Sequence, residues 1–467
     1  MNSIEKLLNT KRTENGDIAY KTTGDNLTDL LFMTPFFEKH LDQVRIGTSD
    51  REKLFSMFVR DPRFGLGRRD LGRELMKQSG VPAEYIVKAG RFDDLWYIPT
   101  FDNLAYLAGQ VSFGNELAKK WMPRLTTKDR KIAKALCKEY GLSEKEYRQW
   151  IKTDKTVEYK LSYAEKQEGT PLNDLFNKDN YSHPLVDTIN FEQVPSLAMT
   201  KYLKCFSTRE DIKDRFNEYM QKVKENKAKV NVSTANVHDS YKTVNTYSFT
   251  TQSYEENADI LGKKIVENAT IGVELDAICV LDTSGSMYSG WGWGGPNYSN
   301  NNDIGVKATS VCHAIATHST YAPNQLISFS SHPQLMTIKG NTLKEQYDSM
   351  YTGDCSNTDL GAVFRILMGL KKFPEYVIVM SDMEFDKGSR FRVDEWQKLV
   401  KQTGANTKLI WWNFNDRNKT VPEFDENGNI FLSGYNLQIL KLLENKFDMT
   451  SYIDKLLSEY SKNIDIK

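Results

Sequence analysis

Four short apolar runs in the second half of the chain constrain the fold more than any other feature. Residues 275–281 (LDAICVL), 326–329 (LISF), 376–380 (YVIVM) and 409–412 (LIWW) are almost continuously hydrophobic. Runs of this length read as strands buried on both faces. Between them lie segments with helical spacing, 304–319 and 360–370, and in the first of these Ile304, Ala308, Val311, Cys312 and Ile315 line one side. Strand and helix alternating in this order predict a doubly wound α/β domain, a parallel sheet with helices on both sides.

The first half has a different rhythm. From about residue 26 to 206 apolar residues recur at helical spacing, as in Leu27, Leu30, Leu31 and then Leu54, Met57, Phe58. This half is expected to be all-α. A chain of 467 residues divides into two or three domains. The Ser/Thr/Tyr-rich stretch 240–253 reads as a linker or extended strand, and 254–268 as an amphipathic helix after it. The expected division is therefore 1–240 helical, 241–270 linker and connecting helix, 271–467 α/β.

Composition narrows the function classes. With 62 Lys+Arg against 62 Asp+Glu, the chain has no global field for polyanions, so a nucleic-acid site must be a local patch. The five cysteines are scattered and never form CxxC, which argues against a disulfide framework or a zinc knuckle and for a reducing cytoplasm. No run of about 18 apolar residues occurs, so neither a membrane span nor a signal peptide is expected.

Directly after the first buried run comes Asp282-Thr283-Ser284-Gly285-Ser286, at the place where doubly wound sheets put their ligands. Two other loops carry Thr358, between Asn357 and Asp359, and Asp382, after Ser381. Mg²⁺ takes six oxygens in near-octahedral geometry and gives up water reluctantly, which suits hydroxyls combined with carboxylates. Gly285 is expected to let the backbone turn tightly. A DxSxS alone is weak, because Asp and Ser also cap helices. An aspartyl phosphotransferase usually has a second carboxylate two residues on, where this chain has Ser284. The three loops together resemble the metal-ion-dependent adhesion site of von Willebrand factor A domains. That resemblance implies a Mg²⁺ (or Mn²⁺) site with Asp282, Ser284, Ser286, Thr358 and Asp382 as ligands. A sixth position would be left for water or a partner's acidic group. The neighbouring loop 289–301, with Trp291, Trp293 and Tyr298, reads either as a stacking surface or as a Gly/Asn-rich insertion.

The helical half carries its own phrases. They are Thr13-Glu14-Asn15-Gly16, Gly24-Asp25-Asn26, Arg60-Asp61 with Gly65, Gly67, Arg68, Arg69, Asp70, Leu71 and Arg73, then Gly90-Arg91-Phe92-Asp93-Asp94-Leu95. Trp121-Met122-Pro123-Arg124, the stretch 131–149 and Val194-Pro195-Ser196 with Ala198 follow, and Leu432-Ser433-Gly434-Tyr435 lies near the end. Their order resembles the TROVE module of the Ro ribonucleoprotein family, and more closely its uncharacterised plant and viral relatives that also end in a von Willebrand A domain. The resemblance implies a HEAT-like helical-repeat ring or horseshoe followed by the Rossmann-like A domain. It also implies binding of small structured RNA and single-stranded RNA ends.

Charge placement bears on this independently. Lys119, Lys120, Arg124, Lys128, Arg130, Lys131, Lys134 and Lys138 form a basic segment with only Asp129 among them. On a helix beginning near residue 128, Lys128, Lys131, Lys134 and Lys138 lie opposite Ile132, Ala133, Leu136 and Cys137, which gives one packing face and one row of charge for phosphates. The alternative is a solvated lysine face, against which stands the near absence of acidic residues for i to i+4 pairing. A second cluster, Arg60, Arg63, Arg68, Arg69 and Arg73, has Asp61, Asp70 and Glu74 close by and reads equally as a structural ion-pair network. The six histidines form no catalytic arrangement, and no nucleophile elbow is present. The expectation is a non-catalytic RNA-binding protein. The alternatives are a protein-interaction module that grips an acidic partner residue through the metal, and a Mg²⁺-dependent RNA hydrolase.

Overall fold

The computed structural model describes residues 10–12, 18–20, 25–32, 34–62, 64–98, 100–126, 129–153, 189–194, 196–232, 235–245, 251–270, 274–288, 291–292, 295–296, 304–351, 359–382, 390–414, 423–424, 430–433 and 449–465. The chain forms two compact units, each discontinuous in sequence: 37–199 with 453–467, and 1–36 with 200–452. Among the described residues no helix is long and apolar enough to cross a membrane.

The first unit is helical. Its helices include Asp50–Arg60, Arg69–Ser79, Ala83–Ala89, Phe92–Tyr97, Phe101–Ser112, Glu116–Trp121, Arg130–Glu139 and Glu144–Trp150. Polar residues at the expected starts cap them. Ser49 and Ser143 accept from the backbone N–H of Glu52 and Glu146, whose carboxylates reach back in full capping boxes. Gly80, at φ +69, closes Arg69–Ser79 in the left-handed conformation that glycine adopts without penalty. A Cβ on Gly72 would lie 2.6 Å from Cα of Arg60, so glycine is what lets Asp50–Arg60 and Arg69–Ser79 touch backbone to backbone. The chain's final stretch also belongs here. The Tyr460 ring meets Phe58 edge-on at 5.5 Å, its hydroxyl donates to Asp61 Oδ2 at 3.2 Å, and Asp454 pairs with Arg51 at 2.8 Å.

The second unit is built on a sheet that has seven strands among the described residues. Its strands in chain order are β1 (Ala277–Asp282), β2 (Gln325–Phe329), β3 (Gln334–Thr337), β4 (Tyr376–Ser381), β5 (Lys408–Asn413), β6 (Glu423–Phe424) and β7 (Ile430–Ser433). The spatial order is β6-β7-β5-β4-β1-β2-β3. The five inner strands are parallel and the outer two, β3 and β6, are antiparallel to their neighbours. The sheet is therefore mixed but mostly parallel. Every residue of β1 and β4 is buried, as the unbroken apolar runs require. One face, with Ile278, Val280, Ile327, Phe329, Val377 and Val379, packs on Leu360, Val363, Phe364, Leu367 and Trp396. Each such aliphatic residue contributes about 1.5–3 kcal/mol by leaving water. On the other side lies the helix Ile304–Thr317, buried throughout from Gly305 to Ala316. The helices Val237–Val244 and Gln252–Thr270 pack against it in turn.

That last layer corrects the reading of residues 240–244 and 252–253 as linker or strand, while 246–250 lie outside the described residues. Residues 240–244 close the helix Val237–Val244, and a new helix begins at Gln252. The Ser and Thr hydroxyls there turn inward along the backbone, Ser240 donating to the Val237 carbonyl and Thr243 to that of Asp239. Tyr241 is buried against the Tyr347 ring, with centroids 4.7 Å apart. Packing thus overrides a composition that favours loops. Near the N-terminus, Thr10–Arg12 pairs antiparallel with Ile18–Tyr20, a hairpin that the sequence pattern did not suggest.

Candidate functional site

β1 and β4 run parallel side by side, with Leu281 opposite Met380. Their carboxyl ends therefore bring Asp282 and Ser381-Asp382 together at the sheet edge. Asp282 is fully buried and Asp382 is 5% exposed. The Asp282 carboxylate is held at both oxygens: the Ser284 N–H donates to Oδ1 at 2.9 Å and the Ser381 hydroxyl to Oδ2 at 2.5 Å. Thr283 ties the loop to β2, its N–H donating to the Phe329 carbonyl at 3.0 Å.

The next residues make a 3₁₀ turn, Gly285–Met287, after extended backbone at Ser284. It puts Oγ of Ser284 and Ser286 3.1 Å apart. Gly285 is not among the glycines with positive φ, so this right-handed turn, and not a glycine-only conformation, brings the two hydroxyls together. Ser284 is buried and Ser286 exposed. The site thus grades from a buried carboxylate to a hydroxyl open to solvent.

Burial pushes the Asp282 carboxyl up to about 7; the Asp382 charge adds to the rise, and the hydrogen bonds from Ser381 and Ser284 oppose it. A negative charge disfavoured by burial and by a second carboxylate is stabilised by a cation. The donors are all hard oxygens, the set that Mg²⁺ and Mn²⁺ prefer. Among the described residues no group of three or more His, Cys, Asp or Glu side chains comes together. The oxygens that gather at this edge come from two carboxylates and from hydroxyls. Thr358 lies outside the described residues. Its neighbour Asp359 donates its N–H to the Ser330 carbonyl, just past β2, and caps the helix Leu360–Met368 through Ala362. Sequence reasoning passed over Ser381, a buried hydroxyl whose serine reads as an ordinary strand end.

The basic segment divides. Lys119 pairs with Glu116, Lys134 with Glu144 at 3.4 Å, and Lys120 lies over the Trp121 ring. Arg124 donates to the carbonyls of Lys119, Lys120 and Ile151, which is a structural role. Lys128 lies outside the described residues. On the helix Arg130–Glu139 the residues Ala133, Leu136 and Cys137 are buried, whereas Arg130, Lys131 and Lys138 are exposed with no ion pair among the described residues.

The arginine cluster resolves as an ion-pair network, although its main acids are not the ones nearest in sequence. Asp94, fully buried, accepts from Arg60 Nε at 3.2 Å and from Arg73 Nε at 2.6 Å, and its other oxygen lies 2.9 Å from a second Arg60 nitrogen. Arg73 also reaches Asp93 at 3.0 Å and lies over the Tyr97 ring. Arg68 pairs with Glu38 at 3.4 Å. Arg63 lies outside the described residues. His313 is a packing residue, buried and 2.9 Å from Gln346 Oε1. In the aromatic loop Trp291–Gly292 pairs antiparallel with Gly295–Pro296; Trp293 and Tyr298 lie outside the described residues.

Residues 276–463 match a family described as a domain of unknown function, DUF7788, and residues 114–269 match another, DUF2828. No curated protein matches the sequence. Among solved structures the chain is similar to the crystal structure of the Deinococcus radiodurans RO (RSR) protein. The identity is 10%, the TM-score 0.40, and the match covers 93% of this chain and 95% of that one.

Proposed function

We propose that this protein binds RNA through its helical unit and holds one divalent cation, Mg²⁺ or Mn²⁺, at the carboxyl edge of its sheet, as a non-catalytic ribonucleoprotein component. The exposed face of Arg130–Glu139 carries the RNA reading: three cations without acidic partners among the described residues, on a helix fixed by its apolar side. Solvated lysines balanced by neighbouring acids would not leave this surplus. The TROVE-like order of sequence phrases supports the same reading. For the cation, Asp282, Asp382, Ser284 and Ser286 supply the oxygens, with Thr358 as a further ligand. Bound there, the ion would offer an open position to an acidic group. Ser286, exposed at the rim, supports a second reading in which that group is a carboxylate of a protein partner.

The test is RNA binding across a salt series with a short single-stranded RNA. Replacing Arg130, Lys131 and Lys138 together by Gln should weaken binding and make the log-log salt slope shallower by about two units, at roughly 0.7 per phosphate. An unchanged slope would reduce the face to a solvated surface. Asp282→Ala should abolish Mn²⁺ binding in calorimetry and leave the RNA slope alone. Cleavage of the RNA with Mg²⁺ that disappears in Asp382→Ala would overturn the non-catalytic assignment.

A further inference from the structure

The Asp282 carboxylate is held from two directions. The Ser284 N–H comes from its own loop, but the Ser381 hydroxyl comes from a different strand, 99 residues away in sequence. Ser381 is fully buried and is the last residue of β4, with its carbonyl accepting from the Phe414 N–H at 3.0 Å beyond β5. Its backbone is therefore fixed by the sheet, and its side chain has a short, buried hydrogen bond to one carboxylate oxygen. Each carboxylate oxygen can accept more than one hydrogen bond or metal contact, so this bond orients the group without using up its capacity. Loss of a group that holds a ligand in place typically costs about 10–100-fold in metal affinity.

We propose that Ser381 is a positioning residue for the divalent-cation site, acting through Asp282 and not as a ligand itself. It fixes the plane of the Asp282 carboxylate from the residue that directly precedes Asp382. The inference rests on the cation site proposed above. Without the hydroxyl, Asp282 keeps its place on β1 and its bond from the Ser284 N–H but loses its second anchor, and the remaining ordering of the carboxylate plane has to be supplied when the ion binds.

The experiment measures Mn²⁺ binding to the full chain by titration calorimetry, for the wild type, Ser381→Ala and Ser381→Thr, alongside the melting temperature of each without metal. Ser381→Ala should lower Mn²⁺ affinity about tenfold or more, and Ser381→Thr, which keeps the hydroxyl on a strand that accepts β-branched residues, should restore most of it. Wild-type affinity in Ser381→Ala, or equal loss in both variants, would overturn the positioning role while leaving the cation site standing. Absence of Mn²⁺ binding in the wild type would instead overturn the cation site, and this inference with it. Should Ser381→Ala fail to fold, Ser381→Cys, similar in size but a poor donor, takes its place with the same expected loss and the same refutation.

Discussion

Replacing Asp94 by Asn should destabilise the helical unit by about 3–5 kcal/mol, the cost of breaking a buried ion pair from one side. The structure puts the change at the upper end of what single substitutions do. Asp94 is fully buried and meets both Arg60 and Arg73, whose side chains are only 4% and 11% exposed, and also accepts the Arg91 N–H at 2.8 Å. An amide keeps the shape but removes the charge and turns one acceptor into a donor facing guanidinium groups, so both cations lose their main counterion in a place that water does not reach. Asp93 provides the contrast. Among the described residues it pairs with Arg73 and its other oxygen is buried without a partner, and burial together with the Asp94 charge holds its carboxyl above the usual range. A carboxylate raised in the fold opposes stability at neutral pH and does so less as pH falls through its folded value. Asp93→Asn should therefore cost under about 1 kcal/mol or be slightly stabilising. Urea unfolding followed by circular dichroism, with the thermal midpoint as a second measure, separates the two; a unit of this size shifts by roughly 2–4 °C per kcal/mol. Similar small losses in both variants would show that the arginines find other counterions and that the network is not the structural element described here.

Gly72→Ala should destabilise by about 1–3 kcal/mol, even though alanine is the better helix former by about 1 kcal/mol, because the added Cβ would lie 2.6 Å from Arg60 Cα; an unchanged or raised melting temperature would contradict the close approach of the two helices. His313 is held neutral, its imidazole pushed down to about 4 chiefly by burial. Unfolded it titrates near 6.5, so its contribution is fully present above that value and is lost as pH falls toward about 4, by about 3 kcal/mol in all. Unfolding midpoints between pH 7.5 and 4.5 should fall more steeply in the wild type than in His313→Gln, and parallel curves would remove His313 as a source of the acid sensitivity.

What could be read in advance follows from where each signal is stored. β1, β2, β4 and β5 are buried on both sides, so each leaves a continuous apolar run that locates it to within two residues. β3, largely exposed at the sheet edge, and the two-residue β6 leave no such run. The placement of Asp282 at the end of β1 and of Asp382 just past β4 was legible because each stands at the end of a continuous apolar run. Their adjacency depends on the order β4-β1-β2, which no local pattern encodes, and so does the inward aim of Ser381. The arginines show the same limit from the other side. Nearness in sequence suggested Asp61, Asp70 and Glu74 as their partners, and Asp70 does lie 3.8 Å from Arg73, but largely exposed. The buried acids are 20 to 34 residues away, inside the phrase Gly90-Arg91-Phe92-Asp93-Asp94. That phrase entered the sequence reading as a mark of resemblance, and the structure gives it a physical reason. Asp94 turns back to the Arg91 N–H, a Cβ on residue 90 would lie 2.1 Å from its Oδ2, and the carboxylate so placed neutralises Arg60 and Arg73. Glycine at 90, aspartate at 94 and arginine at 60 and 73 are thus parts of one buried arrangement. Substituting any one of them should alter the stability of this unit before it alters what the protein binds.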